Sequence, residues 1–214
     1  MVNFMKYLSA ANKFSSILTI FVFILCYSSI ADLQAKDTLA VIHRVIDGDT
    51  FVIDNDRRVR LIGVDSPETS DDYYGQAKSL ADSLLVGKKV RLEFDKEKYD
   101  KYNRLLVYLY LDDLFYNEYV ISRGLAGVYL FGNSLKHAGK LINAQKKARS
   151  RKNGIWSKPV ENAEKYYVSI RGSHRFHRPL CRAIKDANKR KIIRIENRDV
   201  ALDKGLSRCR QCSP

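Results

Sequence analysis

Cysteine is scarce in this 214-residue chain. Of four, Cys26 lies in an apolar stretch near the N-terminus, while Cys181, Cys209 and Cys212 all fall in the last 34 positions. Three thiols cannot all pair within one chain, so a disulfide framework alone does not account for them. Acid is short relative to base. There are 24 Asp and Glu against 38 Lys and Arg, a net charge of +14. That balance points to a polyanionic partner; nucleic acid, a membrane surface and an acidic polymer all fit it. The N-terminal apolar stretch from Ile17 to Cys26, extended by Tyr27 to Ile30, is shorter than the ~20 residues that span a bilayer. The apolar content of 45% is ordinary for a globular protein and excludes wholesale disorder.

The positive charge is unevenly spread. Residues 158–214 carry 15 Lys and Arg against 6 Asp and Glu, a balance of +9. Residues 38–157 carry 20 against 16, a balance of only +4. The acids of the middle segment therefore need individual attention.

Lys6 and Lys13 precede the N-terminal apolar stretch, and Ser29-Ile30-Ala31 follows it with small residues where a signal peptidase reads. Basic start, apolar middle and small-residue end form the order of a secretory signal. The rival reading is an uncleaved membrane anchor, a tether through residues 1–31. The short apolar run favours cleavage. Leu25 before Cys26 argues against lipid attachment at that cysteine. Either way the remainder is expected outside the cytoplasm: periplasmic, secreted or anchored.

From Thr38 the hydrophobic period is that of strands. Thr38 to Val45, Thr50 to Asp54 and Arg57 to Val64 read as three strands, with turns at Asp47-Gly48-Asp49 and Asn55-Asp56. Near 70–86 the period changes: Ala77, Leu80, Ala81, Leu84 and Leu85 follow helical spacing, and Gly87 supplies a stop. Lys89 to Phe94 and Leu105 to Leu111 read as strands again. Asn117 is placed to cap a short helix ending at Gly124. A last helix is expected from about Leu135 to Arg151, with Ala138, Leu141, Ile142, Gln145 and Ala148 on one stripe. The fold class is therefore mainly β with α. Its expected form is a five-stranded OB-fold barrel with about three helices, a fold that commonly binds oligonucleotides.

Four segments carry polar residues where a plain core would not. Ile46-Asp47-Gly48-Asp49-Thr50 puts two acids around a glycine, which alone is ordinary turn chemistry. Arg60 sits inside the apolar strand Val59 to Val64, where arginine snorkels or pairs with an acid. Asp65-Ser66-Pro67-Glu68-Thr69 flanks a proline with carboxylates, which alone could be a helix start. Asp100-Lys101-Tyr102-Asn103-Arg104 alone is a charged loop. Together they form a set suited to phosphodiester hydrolysis. That reaction needs a hard cation held by oxygens, a base near water, and cations on the phosphoryl oxygens. Asp49 and Asp65 can supply oxygens, Glu68 can activate water, and Arg60 and Arg104 can hold phosphate.

The runs D-G-D-T, R-L-I-G-V-D-S-P-E-T, Tyr74-Gly75 and D-K-Y-N-R, followed by Gly124-Leu125-Ala126 and Gly154-Ile155-Trp156-Ser157, resemble the staphylococcal-nuclease family in order and spacing over residues 38–157. The resemblance implies an OB-fold barrel and a calcium ion. It puts Asp49 and Asp65 at side-chain ligand positions, and Ser66 at a backbone-carbonyl ligand position. Glu68 falls at the general-base position, Arg60 and Arg104 at the phosphate-binding arginines, and Asp47 at an acid behind the ligands. Lys101 and Tyr102 fall where the terminal phosphate of a nucleotide is contacted. Tyr129 is the candidate for the substrate-stacking tyrosine, with a core aromatic as the alternative. Two departures stand out: Ser66 replaces the usual Thr, and Asn103 replaces a Gly before the second arginine. The implied reaction is attack of water on phosphorus in DNA or RNA, leaving a 3′-phosphate.

Past Pro159 the chain changes character. His177 and Cys181, then Cys209 and Cys212, give H-x3-C followed by C-x2-C, one nitrogen and three sulfurs suited to tetrahedral zinc. His174 is a rival nitrogen donor. A disulfide with one free thiol is the competing reading, because an exported protein meets an oxidising compartment. The segment resembles the small zinc-binding module of the Ada DNA-repair protein. The expected organisation is an N-terminal signal or anchor (1–31), a catalytic barrel (38–157) and a basic zinc module (166–214). The leading expectation is an exported, calcium-dependent nuclease acting on DNA, RNA or both. The alternative is an OB-fold that holds single strands without chemistry.

Overall fold

A computed structural model describes residues 38–132 and 136–214. The expected signal or anchor at 1–31 lies outside the described residues. Among those described, no helix is long and apolar enough to cross a membrane.

The barrel is built from five strands: β1 (Thr38–Asp47), β2 (Thr50–Ile53), β3 (Arg57–Leu61), β5 (Lys89–Glu93) and β6 (Leu105–Leu111). The order β3-β2-β1-β5-β6 closes on itself because β6 also pairs with β3, in parallel. Closure leaves no sheet edge within the barrel. β1 serves two neighbours. Its first half pairs with β5, from Thr38↔Leu92 to Val41↔Lys89, and its second half pairs with β2, from Ile42↔Ile53 to Asp47↔Thr50. Register shifts between Ile42 and Arg44 and between Val45 and Asp47 accompany this change. Such bulges bend a strand enough to round a barrel corner.

The strand expected over Arg57 to Val64 is broken in two. At Ile62 the backbone turns aside: its N–H donates to Val107 O at 2.9 Å, and Asn117 Nδ2 donates to its carbonyl at 2.9 Å. Beyond it, β4 (Gly63–Asp65) leaves the barrel and pairs with β8 (Gly127–Tyr129), Asp65 opposite Gly127. Asn117 is not a cap. It lies inside helix α2 (Tyr116–Ser122), fully buried, and its Oδ1 accepts from Leu109 N at 2.9 Å. An amide offers both a donor and an acceptor, and here each satisfies a backbone group that the strand break would orphan.

Helix α1 (Tyr74–Leu85) buries Ala77, Ala81 and Leu85 of its expected stripe, with Leu80 and Leu84 partly buried against the core; α3 (Ala138–Ser150) buries Leu141, Gln145 and Ala148, adds Ala144, and leaves Ala138 and Ile142 partly buried. The short strand β7 (Leu114–Phe115) leads from β6 into α2. Phe51, Leu61, Val107 and Leu109 lie in the main core, inside the barrel and under the helices.

The C-terminal segment forms its own four-stranded sheet from β9 (Tyr167–Ile170), β10 (Arg175–His177), β11 (Ile192–Ile195) and β12 (Ser207–Arg208), in the order β11-β9-β10-β12. A fourth helix, α4 (Arg198–Asp203), belongs to it. A second core joins the two regions: Ala148 and Trp156 pack with Tyr167, Phe176, Ala201 and Leu202. The described residues from Thr38 to Pro214 therefore form one compact unit.

Candidate active site

The hairpin between β1 and β2 aims two acids at one end of the barrel. Asp47 Oδ1 accepts the Asp49 N–H at 3.0 Å, which fixes the turn. Gly48 lies between them because nothing larger fits: a Cβ there would stand 2.9 Å from both Ala77 Cβ and Ser66 Cβ. Its absence lets α1 and the β4 exit approach the hairpin.

Asp49 is 4% exposed and almost fully engaged. Its Oδ2 accepts the Ser66 N–H at 2.6 Å, and its Oδ1 accepts the Thr50 hydroxyl at 2.9 Å. Arg60 Nη1 lies 3.1 Å from the same Oδ1. Burial opposes ionisation of Asp49, but Arg60 and these donors outweigh it and hold its carboxyl below the usual range. Asp47 moves the other way. Burial first, then the charge of Asp49, push it up to about 6.

Arg60 links the ligand candidates. It is 7% exposed, and its other terminal nitrogen, Nη2, lies 3.8 Å from Asp65 Oδ1. Nη1 also donates to Leu61 O at 3.1 Å. The arginine in the apolar strand is thus an internal cation bridging Asp49 and Asp65, not a snorkelling side chain. These two carboxylates and the adjacent Ser66 backbone offer a hard oxygen set, which fits a calcium-type ion.

Arg104 is engaged by an acid of its own loop. Its Nε and Nη2 both sit 2.7 Å from Asp100 Oδ2. Asp100 also accepts N–H groups from Tyr102 at 2.9 Å and Arg104 at 3.0 Å. Burial opposes ionisation of Asp100, yet the Arg104 and Tyr102 donors keep it below the usual range. Sequence reading did not single out this partner, although an acid four residues before an arginine was visible. Asn103, standing where the family has glycine, adopts a left-handed φ of 60°. Asparagine is among the few residues that tolerate it. Lys101 and Tyr102 lie on the same exposed loop, Lys101 Nζ 4.9 Å from the Tyr102 ring centre.

Tyr129 is half-buried, and its ring is covered by the Arg175 guanidinium at 4.4 Å. It is neither a sealed core residue nor an open stacking platform.

Glu68 is exposed, and its Oε1 pairs with Arg210 Nη1. Arg210 also reaches Asp65 Oδ1, at 2.5 Å through Nη2. Arg175 Nη2 lies 3.8 Å from Asp65 Oδ2. Both arginines come from the C-terminal region, and sequence reading assigned neither to this site. A cleft of about 580 Å³ runs between the two regions, lined by Asp65, Glu68, Trp156, Arg178, Arg208 and Arg210 among others.

Beside this cleft, which Cys209 and Cys212 also line, His177, Cys181, Cys209 and Cys212 converge, their ligand atoms all within 4.8 Å of one another. Cys181 Sγ and Cys209 Sγ are 4.0 Å apart. Zinc–sulfur bonds of ~2.3 Å make a tetrahedral edge of roughly 3.8 Å, so this spacing suits a shared ion. His177 Nδ1 is buried without a hydrogen-bond partner. Burial, then the nearby Arg175 charge, lower the His177 pKa and favour the neutral imidazole that a metal requires. The Arg178 N–H donates to Cys212 Sγ at 3.4 Å. The donor set fits zinc. His174, the rival nitrogen, is not in this group.

Comparison with known proteins agrees with the geometry. The family described as Staphylococcal nuclease homologue matches residues 58–158. A thermonuclease of Staphylococcus hyicus is 38% identical over 133 residues, covering 58% of this chain and 79% of the relative. A thermonuclease of Staphylococcus intermedius is 40% identical over 127 residues, covering 55% of this chain and 76% of the relative. The endonuclease YncB of Bacillus subtilis is 38% identical over 150 residues, covering 65% and 68%. With the barrel, the bridged carboxylates and these relatives in agreement, the chain belongs to the staphylococcal nuclease family and is a nuclease of the hydrolase class.

Proposed function

We propose that this nuclease is exported and calcium-dependent, and that it cuts DNA, and RNA by the same chemistry, to 3′-phosphate products. The observation that carries the reading is the bridging of Asp49 and Asp65 by one buried arginine, Arg60. Two carboxylates held together around a fixed cation leave an oxygen-rich corner where a second cation and a phosphate can be accommodated. Asp49, Asp65 and the Ser66 carbonyl would hold calcium, and Asp47 would support the Asp49 turn from behind. When bound, calcium supplies charge that stabilises the developing phosphorane.

The chain's own residues do the rest. Glu68 takes the proton from the attacking water. Arg60 and Arg104 offer paired donors to the phosphoryl oxygens, whose charge grows toward the transition state. Arg104 has to exchange Asp100 for phosphate, which ties its contribution to substrate arrival. Lys101 and Tyr102 reach the terminal phosphate from the exposed loop. Tyr129 meets the substrate only alongside Arg175, which covers its ring. The His177/Cys181/Cys209/Cys212 group holds a structural zinc ion in a basic module, 166–214, following the catalytic barrel, 38–157. The order of basic, apolar and small residues in 1–31 supports export with cleavage, and retention of that segment as a membrane tether is the rival.

The test is cleavage of single-stranded DNA and RNA in calcium, in magnesium and with a calcium-selective chelator. Calcium-dependent cleavage is expected, and Glu68→Gln is expected to lower kcat by about 10²–10⁴-fold with KM little changed. Wild-type turnover by Glu68→Gln would remove the base from Glu68. Tight DNA binding without cleavage under any metal would make the chain a binding protein.

A further inference from the structure

We propose that Arg210 controls the nuclease centre: it competes with the calcium ion for Asp65 and pairs with the base Glu68, and metal bound at the His177/Cys181/Cys209/Cys212 group holds it in place. This rests on the calcium reading above.

One guanidinium of the C-terminal region spans the two acids to which that reading gives the ligand and base roles. Arg210 Nη2 is 2.5 Å from Asp65 Oδ1, and Nη1 is on Glu68 Oε1. The planar fork of arginine suits such bridging of two carboxylates. Asp65 is already surrounded by positive charge, with Arg60 3.8 Å from Oδ1 and Arg175 3.8 Å from Oδ2. A divalent cation approaching Asp65 therefore meets Arg210 at Oδ1 and Arg175 beside Oδ2, and binds against like-charge repulsion at either oxygen.

The half-exposed Arg210 side chain would ordinarily make only a weak surface pair, because ordering two long side chains offsets the attraction. Its backbone changes that balance. Arg210 lies between Cys209 and Cys212, two of the four converging ligands. The Cys209 N–H donates to Phe176 O at 3.0 Å, and the Ser213 N–H donates to Cys209 O at 3.0 Å. Arg178 adds its Nε donor to Cys212 O at 2.9 Å. β12, which ends two residues before Arg210, pairs in parallel with β10, the strand that carries Arg175 and His177. A metal at Cys209 and Cys212 thus fixes a loop of two residues, and the first of them reaches the nuclease acids. Occupancy at one site is transmitted to the other through a single side chain.

Calorimetric titration of calcium into the full-length, zinc-loaded chain tests this. Arg210→Ala is expected to bind calcium roughly tenfold more tightly than the wild type, equivalent to about 1.4 kcal/mol. Arg210→Lys, which keeps the charge but loses the fork, should lie between them. Stripping zinc from the wild type, with folding checked by near-ultraviolet circular dichroism, should tighten calcium binding by a similar factor and leave Arg210→Ala unchanged. Equal or weaker calcium binding by Arg210→Ala would overturn the proposal. A zinc effect of equal size in wild type and Arg210→Ala would overturn the coupling through Arg210. Asp49→Ala and Asp65→Ala serve as controls for the underlying reading. If calcium still binds with both replaced, the ion is held elsewhere and that reading fails independently.

Discussion

Arg60 and Asp49 form a buried ion pair, Nη1 to Oδ1 at 3.1 Å, with side chains 8% and 5% exposed. Thr50 faces Arg60 in the β2–β3 register, so Asp49 sits one residue beyond the paired position, where the arginine fork reaches it. Removing one member of such a pair leaves the other charged and desolvated, a cost of about 3–5 kcal/mol. Arg60→Ala should therefore lose that much stability in urea unfolding without calcium. With calcium saturating, the loss should be smaller, since a bound cation compensates Asp49. An equal loss in both conditions would show that Asp49 holds no cation.

Asp47 gives a pH signature. In the folded chain burial and then Asp49 push it up to about 6 from the ordinary 3.8. A raised carboxyl pKa means that the folded state binds the proton more tightly than the unfolded state. The ionised form therefore costs stability above pH 6, and that cost fades as pH falls from 6 toward 4. About two units correspond to roughly 3 kcal/mol, discounted to about 1–2 kcal/mol because Asp47 is partly solvated. Asp47→Asn, whose side-chain oxygen still accepts the Asp49 N–H, should be more stable than wild type by that amount at pH 7.5 without calcium. The two proteins should converge near pH 4. A difference independent of pH would refute the assignment.

The barrel and the acids were legible because their signals are local. Period-two alternation marked the strands, and D-G-D-T, Arg60, D-S-P-E and D-K-Y-N-R each lie within a few residues of chain. Contacts that cross the sequence were not legible. Arg210 pairs with an acid 145 positions away, and nothing in C-R-Q-C distinguishes an arginine facing solvent from one facing the nuclease centre. Asn117 is a residue type that caps helices, yet it serves Leu109 and Ile62, whose need for partners arises only once the strand breaks at Ile62. Tertiary demand overrode local preference there. The four-ligand cluster was readable because C-x2-C and H-x3-C are short-range spacings. The 27 residues between them, which include β11, α4 and β12, were not.

Gly48 links the hairpin to the rest of the centre. An added Cβ would lie 2.9 Å from Ala77 on α1 and from Ser66 on the β4 exit, closer than side chains tolerate. Overpacking of this kind costs about 1–3 kcal/mol. Relief requires Ser66 to move, and Ser66 is bonded to Asp49 Oδ2. Gly48→Ala should therefore lose stability in that range and weaken calcium binding together. Loss of stability with unchanged calcium affinity would separate Gly48 from the cation site.

The C-terminal cluster distinguishes zinc from a disulfide by two measurements. The buried His177 Nδ1 has no partner, and Cys181, Cys209 and Cys212 all lie with it inside one 4.8 Å group. A disulfide would draw two sulfurs to ~2.05 Å and leave the third thiol and the imidazole idle. A shared ion uses all four. Purified protein should contain one zinc per chain by elemental analysis, and the thiols of Cys181, Cys209 and Cys212 should react with a thiol reagent only after chelation. Because Val168 and Ile184 pack with these cysteines, loss of the ion should also loosen the module and lower Tm. Replacing His177 with Ala should lower zinc affinity by at least an order of magnitude, since three sulfurs then remain for a tetrahedral ion. Protein that carries no zinc and shows one free thiol in place of three among Cys181, Cys209 and Cys212 after denaturation would establish the disulfide instead. It would then be that crosslink which holds Arg210 against Asp65.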